Sequence, residues 1–378
     1  MGSEERIIID GLEYSFEPGE TILEVARRNG IEIPTLCHLK GATPTGACRI
    51  CLVEVEGART LVASCAMPAT NNMVVKTNTP KVIEARKLNI ELLLASGHHN
   101  CLAQEADLDS WTDFQINALS SKLHQDICPA YGKCALQDLA IKYQVKGVRF
   151  KATPTKYELE DVNPFIIRDF SRCILCGRCV QACNEIQVNN AISYGYRGGA
   201  SKIVTKGDKP LKDSDCVFCG ECLQRCPVGA LVDKREFMEK GYLLPTKKVR
   251  TTCAYCGVGC QIYLHVRDNK IVKVTGVDEV GPNYGSLCVK GRFGYDFVSH
   301  PDRLKTPLIK KNGKFEEASW EEALSYVAEN LTKIRDKHGP NAIGVLASAR
   351  ITSEENYLAQ KFTRAVLKTN NIDHCARL

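Results

Sequence analysis

A chain of 378 residues with 44% hydrophobic and 25% charged residues has the composition of a folded globular protein and room for several domains. Its formal charge of +6 is spread along the sequence without basic blocks, so no nucleic acid partner is expected. No apolar run reaches membrane-span length, Met1 to Asp10 has no signal-peptide pattern, and Arg27-Arg28 lies in a helical segment, so the 20 cysteines argue for metal ligation in a reducing cytoplasm and against disulfides.

Arg6 to Phe16 reads as β structure turning at Asp10-Gly11, and Thr21 to Asn29 as a short helix with Thr21 and Glu24 as a capping box and Gly30 as its stop. Cys37, Cys48, Cys51 and Cys65 follow with spacing C-x10-C-x2-C-x13-C, and Gly41 and Gly46 let the first loop wrap a metal centre. Four close thiolates satisfy two irons. They also suit tetrahedral zinc, although zinc ribbons pair two CxxC units and this segment has one. The segment resembles the [2Fe-2S] ferredoxin domain of respiratory complex I and related oxidoreductases, which implies a β-grasp domain over 1–80 with one [2Fe-2S] cluster on these cysteines.

Lys81 to Ser96 reads as a helix with Val82, Ala85, Leu88, Leu92 and Ala95 on one apolar face. It delivers His98, His99 and Cys101, and Cys128 and Cys134 follow. A lone histidine here would be a solvated imidazole; the cysteines around it suggest a ligand. The stretch resembles the one-histidine, three-cysteine domain that accompanies the same ferredoxin module in complex I and iron hydrogenases. That implies a [4Fe-4S] cluster over 81–145, on Cys101, Cys128, Cys134 and either His98 or His99. The polar stretch 146–163, with Thr153-Pro154-Thr155, reads as a linker.

Within 164–245, Cys173, Cys176, Cys179 and Cys183 are spaced C-x2-C-x2-C-x3-C, and Cys216, Cys219, Cys222 and Cys226 repeat the spacing 43 residues later. This is the bacterial two-cluster ferredoxin signature, in which the fourth cysteine of each run reaches across to the other cluster. One [4Fe-4S] cluster is therefore expected on Cys173, Cys176, Cys179 and Cys226, and a second on Cys216, Cys219, Cys222 and Cys183. Asn184 stands where such a run normally has proline, a position that ligates nothing.

Over 246–305, Cys253, Cys256, Cys260 and Cys288 form C-x2-C-x3-C-x27-C, and a hairpin of Gln261–Val266 and Ile271–Val274 about Asp268-Asn269 is expected to bring Cys288 back to the others. The pattern resembles the N-terminal cluster domain of the molybdopterin oxidoreductases, with Cys256-Gly-Val-Gly-Cys260 in its formate dehydrogenase form. The resemblance implies a fourth [4Fe-4S] cluster, and a role for Lys290, two residues after Cys288, in electron passage between cluster and pterin. Outside that motif Lys290 would read as a solvated lysine.

Residues 306–378 read as the start of an α/β domain: a helix capped by a Ser319/Glu322 box and running to about Lys337, a strand over Ala342–Ser348 and a helix over Glu354–Leu367. The approach Asn371-Ile372-Asp373-His374-Cys375-Ala376-Arg377-Leu378 resembles the stretch before the selenocysteine of selenium-dependent formate dehydrogenases. That implies a selenocysteine directly after Leu378 and a chain cut at its UGA codon, with Cys375 a packed, non-ligating cysteine.

Together these readings describe an α+β multidomain chain with one [2Fe-2S] and four [4Fe-4S] clusters, leaving only Cys375 without a cluster. The clusters add about nine negative charges to the sequence value. The formate dehydrogenase resemblance further implies a Mo- or W-bis(molybdopterin guanine dinucleotide) in the full-length protein, formate or CO2 as substrate, and catalysis only with residues beyond Leu378. No G-x-G-x-x-G loop is present, so a flavin/NAD(P)-binding or ferredoxin-linked subunit, or a hydrogenase module, is the expected electron partner. A five-cluster electron-transfer subunit and another molybdopterin enzyme are the alternatives.

Overall fold

The computed structural model describes residues 5–97, 99, 130, 133–145, 148–150, 155–238 and 246–375, in two units, Met1–Pro245 and Thr246–Leu378. In the first, β1 (Arg6–Ile9) and β2 (Leu12–Ser15) form a hairpin whose turn residues Asp10 and Gly11 both take positive φ, the twist that a two-residue hairpin loop needs. With β3 (Leu52–Val55), β4 (Val62–Ala63) and β5 (Val74–Lys76) they make a five-stranded sheet of order β2-β1-β5-β3-β4, in which β1 and β5 run parallel. Helix α1 (Ile22–Arg28) packs Ile22, Leu23, Val25 and Ala26 into the same core as Ile7, Ile9, Val53 and Val75. Its capping box is present: Thr21 accepts from the Glu24 N–H, and the Glu24 carboxylate accepts from the Thr21 N–H at 2.8 Å. This is the β-grasp fold expected from the sequence.

Helix α2 (Pro80–Ala95) forms as expected, but its buried face is another one. Val82, Arg86, Ile90, Glu91 and Leu94 are buried, whereas Leu88 and Leu92 of the expected apolar face are exposed. The reason is Arg86, whose Nη1 donates to the Tyr143 hydroxyl and whose Nη2 donates to the carbonyls of Leu52 and Thr77, so both terminal nitrogens of the buried charge are occupied while its Nε is not. Tyr143 follows α3 (Ala135–Lys142), which packs against α2.

The ferredoxin segment is built twice over. Strands β6 (Ile166–Arg168) and β9 (Leu231–Asp233) pair antiparallel, as do β7 (Ile192–Gly195) and β8 (Lys202–Thr205). Each cysteine run leads into a short helix: α4 (Arg178–Gln181), prolonged by a π turn over Ala182–Ile186, and α5 (Glu221–Arg225). Lys234–Met238 is α6. Packing begins inside the stretch read as linker: Glu160 pairs its backbone with Arg168 and its carboxylate with that guanidinium, and buried Asn163 accepts from the amides of Phe165 and Ile166. Residues 146, 147 and 151–154 of that stretch lie outside the described residues.

In the second unit β10 (Lys247–Thr252), β11 (Gln261–Arg267) and β12 (Lys270–Gly276) form an antiparallel meander, whose second half is the expected hairpin about Asp268-Asn269. A short helix α7 (Val289–Phe293) packs on β12. The hairpin β13 (Leu308–Lys311) and β14 (Lys314–Glu317) leads to α8 (Trp320–His338). Ser319 caps α8 by accepting from the Glu322 N–H, but the return arm of the expected box is not made, because the Glu322 carboxylate pairs with Lys311 at 3.1 Å. Beyond it β15 (Val345–Ala347), α9 (Ser353–Lys361) and β16 (Ile372–His374) form a βαβ unit with parallel strands. Cys375, expected to be packed, is exposed just past the end of β16.

Candidate metal centres

Cys37, Cys48, Cys51 and Cys65 are all buried, with Cys51 and Cys65 in the β-grasp core and Cys37 and Cys48 in a second core shared with α2, α3 and the ferredoxin segment. The loop from Cys37 to Cys48 folds back so that each of these residues points its N–H at the other's sulfur, at 3.4 and 3.5 Å. The four thiols touch one another. Sulfhydryls of Cys48 and Cys65 hold Cys37 well below the ordinary thiol value, and Cys65 draws Cys51 down to about 6. Cys48 and Cys65, the partners that keep the protons, are pushed up.

In the ferredoxin segment the two runs share one local geometry. Leu175 and Phe218 both adopt φ near +50°, rare for such side chains, followed by Gly177 and Gly220, also at positive φ, as helix N-caps. This turn aims the amides of Leu175 and Phe218 at Cys173 Sγ and Cys216 Sγ, each at 3.4 Å, a concavity of N–H groups suited to an anionic cluster. The Ala191 amide reaches Cys183 Sγ at 3.4 Å. Apart from its own burial, Cys176 feels Cys226 more strongly than its neighbour Cys173, while Cys183 is among the charges felt at Cys216. Burial pushes Cys173 up to about 11 and Cys176 up to about 12, and raises Cys179, Cys216, Cys222 and Cys226 as well. Cys173, Cys176, Cys179, Cys222 and Cys226 line a cavity walled by Phe170, Ile174, Ile192, Ile203 and Leu231.

The one-histidine, three-cysteine site falls mainly where His98, Cys101 and Cys128 lie outside the described residues. His99 and Cys134 are described, and both sit beside the Cys173–Cys226 site. A Cβ at Gly97 would come within 2.8 Å of His99 Nε2 and 2.7 Å of the Ser171 carbonyl, so only glycine fits there. Cys134 is the N-cap of α3, and the next amide, of Ala135, donates to the Pro227 carbonyl at 2.8 Å.

In the second unit Cys253, Cys256, Cys260 and Cys288 come together around the mouth of the β10–β11 turn. Cys253 and Cys260 each feel Cys288 and Cys256, and burial raises both. Asn283, which sequence reasoning passed over, returns Cys288 to the group: its Oδ1 accepts from the Gln261 N–H at 2.7 Å and its Nδ2 donates to the carbonyls of Gln261 and Ser286. Gly291 lies beside the site, where a Cβ would make ordinary van der Waals contact with Cys253 Sγ at 3.5 Å. Lys290 lines a pocket with Cys253, Tyr255, Gly291 and Phe297.

These residues fit iron-sulfur clusters. Among the described residues no cysteine forms a disulfide. Thiols grouped in fours, with backbone amides aimed at their sulfurs, are what a polynuclear anionic cluster needs, with iron taking the place of the protons.

Comparison with known proteins gives the same succession. Residues 4–80 match the 2Fe-2S iron-sulfur cluster binding domain, 172–230 the 4Fe-4S dicluster domain, 246–300 the molybdopterin oxidoreductase Fe4S4 domain and 303–378 the molybdopterin oxidoreductase domain. A Bacillus subtilis (strain 168) protein named "Putative formate dehydrogenase YrhE" is 33% identical over 98% of this chain and 39% of its own length. An NADH-quinone oxidoreductase subunit of Rhizobium meliloti (strain 1021) is 36% identical over 98% of this chain and 40% of its own length. The chain thus spans about two-fifths of these relatives. Among solved structures, a chain of an NAD+-reducing [NiFe]-hydrogenase in the H2-reduced state aligns over 61% of this chain and 88% of its own, with TM-score 0.51 and 30% identity. No helix among the described residues is long and apolar enough to cross a membrane. Segment by segment, the 378 residues thus resemble a 2Fe-2S domain, a 4Fe-4S dicluster domain, and the Fe4S4 and molybdopterin domains of molybdopterin oxidoreductases.

Proposed function

We propose that this chain is the electron-relay portion of a cytoplasmic formate dehydrogenase, which oxidises formate or reduces CO2 at a molybdenum- or tungsten-pterin centre completed by residues beyond Leu378. The observation that carries the relay is a shared core: Cys37, Cys48, Cys134 and Cys176 belong to one apolar cluster with Leu36, Ile50, Leu136 and Val228, and Cys173 and Cys226, partly buried, pack against it. Sites held in one water-excluding core keep short, rigid separations, as one-electron transfer between them requires. The clusters would supply one-electron steps, and the pterin-bound metal the two-electron chemistry. The ligands are the sets named above, with one of His98 and His99 joining Cys101, Cys128 and Cys134. The formate assignment draws support from Cys256-Gly-Val-Gly-Cys260 and from the relatives named as formate dehydrogenases. The partner is a flavin- and NAD(P)-binding or ferredoxin-linked subunit, in keeping with the hydrogenase likeness.

A second reading, an electron-transfer subunit without chemistry of its own, is favoured by the 36% identity to an NADH-quinone oxidoreductase subunit. Reading the codon after Leu378 and the frame beyond it separates them. A UGA followed by a long open frame supports the selenium formate dehydrogenase, and formate-dependent dye reduction by the full product tests it. A product that carries clusters and pterin yet leaves formate untouched removes the formate reading.

A further inference from the structure

Arg178 is the first residue of α4, in the sequence Cys176-Gly177-Arg178-Cys179. The second run has Glu221 at the same place, in Cys219-Gly220-Glu221-Cys222. Glu221 is fully buried and takes a hydrogen bond from Arg225 Nε at 2.8 Å, so its charge is compensated by its own helix. Arg178 has no such partner. Among the described residues no carboxylate forms an ion pair with it, and its buried Nε donates to nothing.

Arg178 stands between Cys176 and Cys179 in the chain, within electrostatic reach of sulfur from two sites and of the Arg225 cation. Its charge acts on Cys176 and Cys226 of one thiol set and on Cys37 of another. The helix it opens is the surface on which the Cys37–Cys48 loop rests. Gln181 donates to the Thr43 carbonyl, Glu185 accepts from the Thr43 N–H at 2.7 Å, and Gly41 stands against Ile186. Residues 178, 181 and 185 are spaced to lie along one helical face. Tyr194 borders the same seam, with its hydroxyl on the Leu175 carbonyl at 3.3 Å and its ring within electrostatic reach of Cys173, Cys176, Cys179 and Cys37.

Resting on the cluster reading above, we propose that Arg178 is a redox-positioning cation in the seam between the Cys37 and Cys173–Cys226 sites, raising the reduction potential of both. Reduction adds a negative charge to a cluster, and a cation held in a poorly solvated seam stabilises that form. The Cys216 site has Glu221, paired with Arg225, at the equivalent place, and the arginine felt at Cys216, Arg168, is itself paired with Glu160. The internal repeat thereby separates two otherwise similar [4Fe-4S] sites in potential and couples one of them to the [2Fe-2S] site.

The test is an EPR-monitored redox titration of the full 378-residue chain, loaded with iron and sulfide, as wild type, R178Q and R178K. In R178Q the reduced-to-oxidised ratio at fixed potential should fall about ten-fold for the [2Fe-2S] signal and for one [4Fe-4S] signal, which is about 59 mV for a one-electron couple. The remaining signals should stay in place, and R178K should titrate like wild type. R178M, which keeps the aliphatic stem, takes the place of R178Q should that variant bind less iron. Unmoved potentials in the neutral variant, or equal shifts in R178K and R178Q, overturn the proposal. Wild-type protein with no cluster signals would instead remove the cluster reading beneath it.

Discussion

The β-grasp part of the first unit encloses its thiols, whereas the second unit leaves part of its set and much apolar surface open. Cys37, Cys51 and Cys65 are each 1% exposed in cores assembled from several elements. In the second unit Cys288 is exposed, and neither α8 nor α9 buries a single side chain. Trp320 and Leu324 of α8 and Leu346 of β15 are 70%, 61% and 88% exposed. Helix α8 is nevertheless well specified locally, with Ser319 as cap, Glu321 and Glu322 in its first turn, and Arg335, Lys337 and His338 in its last. Local rules can thus write a helix whose packing face has no partner among the described residues. The buried metal sites needed long-range cores.

The comparison can be broken most directly at Cys51. Cys51→Ser should abolish the [2Fe-2S] EPR signal and lower the first unit's unfolding midpoint, because metal binding there contributes folding free energy. A retained signal would mean the β-grasp thiols are not the ligands. Next in size is Arg86→Ala, which removes donors from two carbonyls and a hydroxyl in a closed core. It should cost about 3 kcal/mol by denaturant unfolding, whereas a partly open core would absorb the change for less. In the second unit Asn283→Ala should let the Cys288 loop loosen, so that chelator strips that cluster about ten-fold faster while the first unit's signals persist.

Smaller effects sharpen the contrast. Thr21→Ala should cost about 1 kcal/mol by removing the cap of α1. Hydrogen bonds from the Thr21 backbone and hydroxyl, opposed in part by burial, hold the Glu24 carboxyl below its ordinary 4.5. Its contribution is therefore full above that value and is lost as pH falls through the lowered one, so the part of the Thr21→Ala cost that runs through Glu24 should shrink on acidification. Leu324→Ser, on the open face of α8, should change stability of this chain by no more than about 0.5 kcal/mol. A loss several times larger would show that face to be packed.

Cysteine spacing, turn chemistry and caps were legible because they are local. The Asp10-Gly11 hairpin, the Thr21 box and the Asp268-Asn269 turn all appear where the sequence points. What escaped was decided by distant partners. The face of α2 turned because Arg86 finds acceptors on β3, on the segment after β5 and on Tyr143, none visible from helical periodicity. Glu322 left its capping box for Lys311 on the preceding hairpin, and Cys375, read as packed, lies exposed. Arg178 and Asn283 carry no motif, although aligning the two cysteine runs sets Arg178 against Glu221 and could have flagged the charge reversal.

The central claim is that these thiol sets hold iron-sulfur clusters, and iron and sulfide analysis with EPR of the anaerobically purified 378-residue chain tests it most directly. The account predicts about 18 iron atoms per chain, one [2Fe-2S] signal and four [4Fe-4S] signals. Stoichiometric zinc in place of iron, with no reducible signal from either unit, would contradict it.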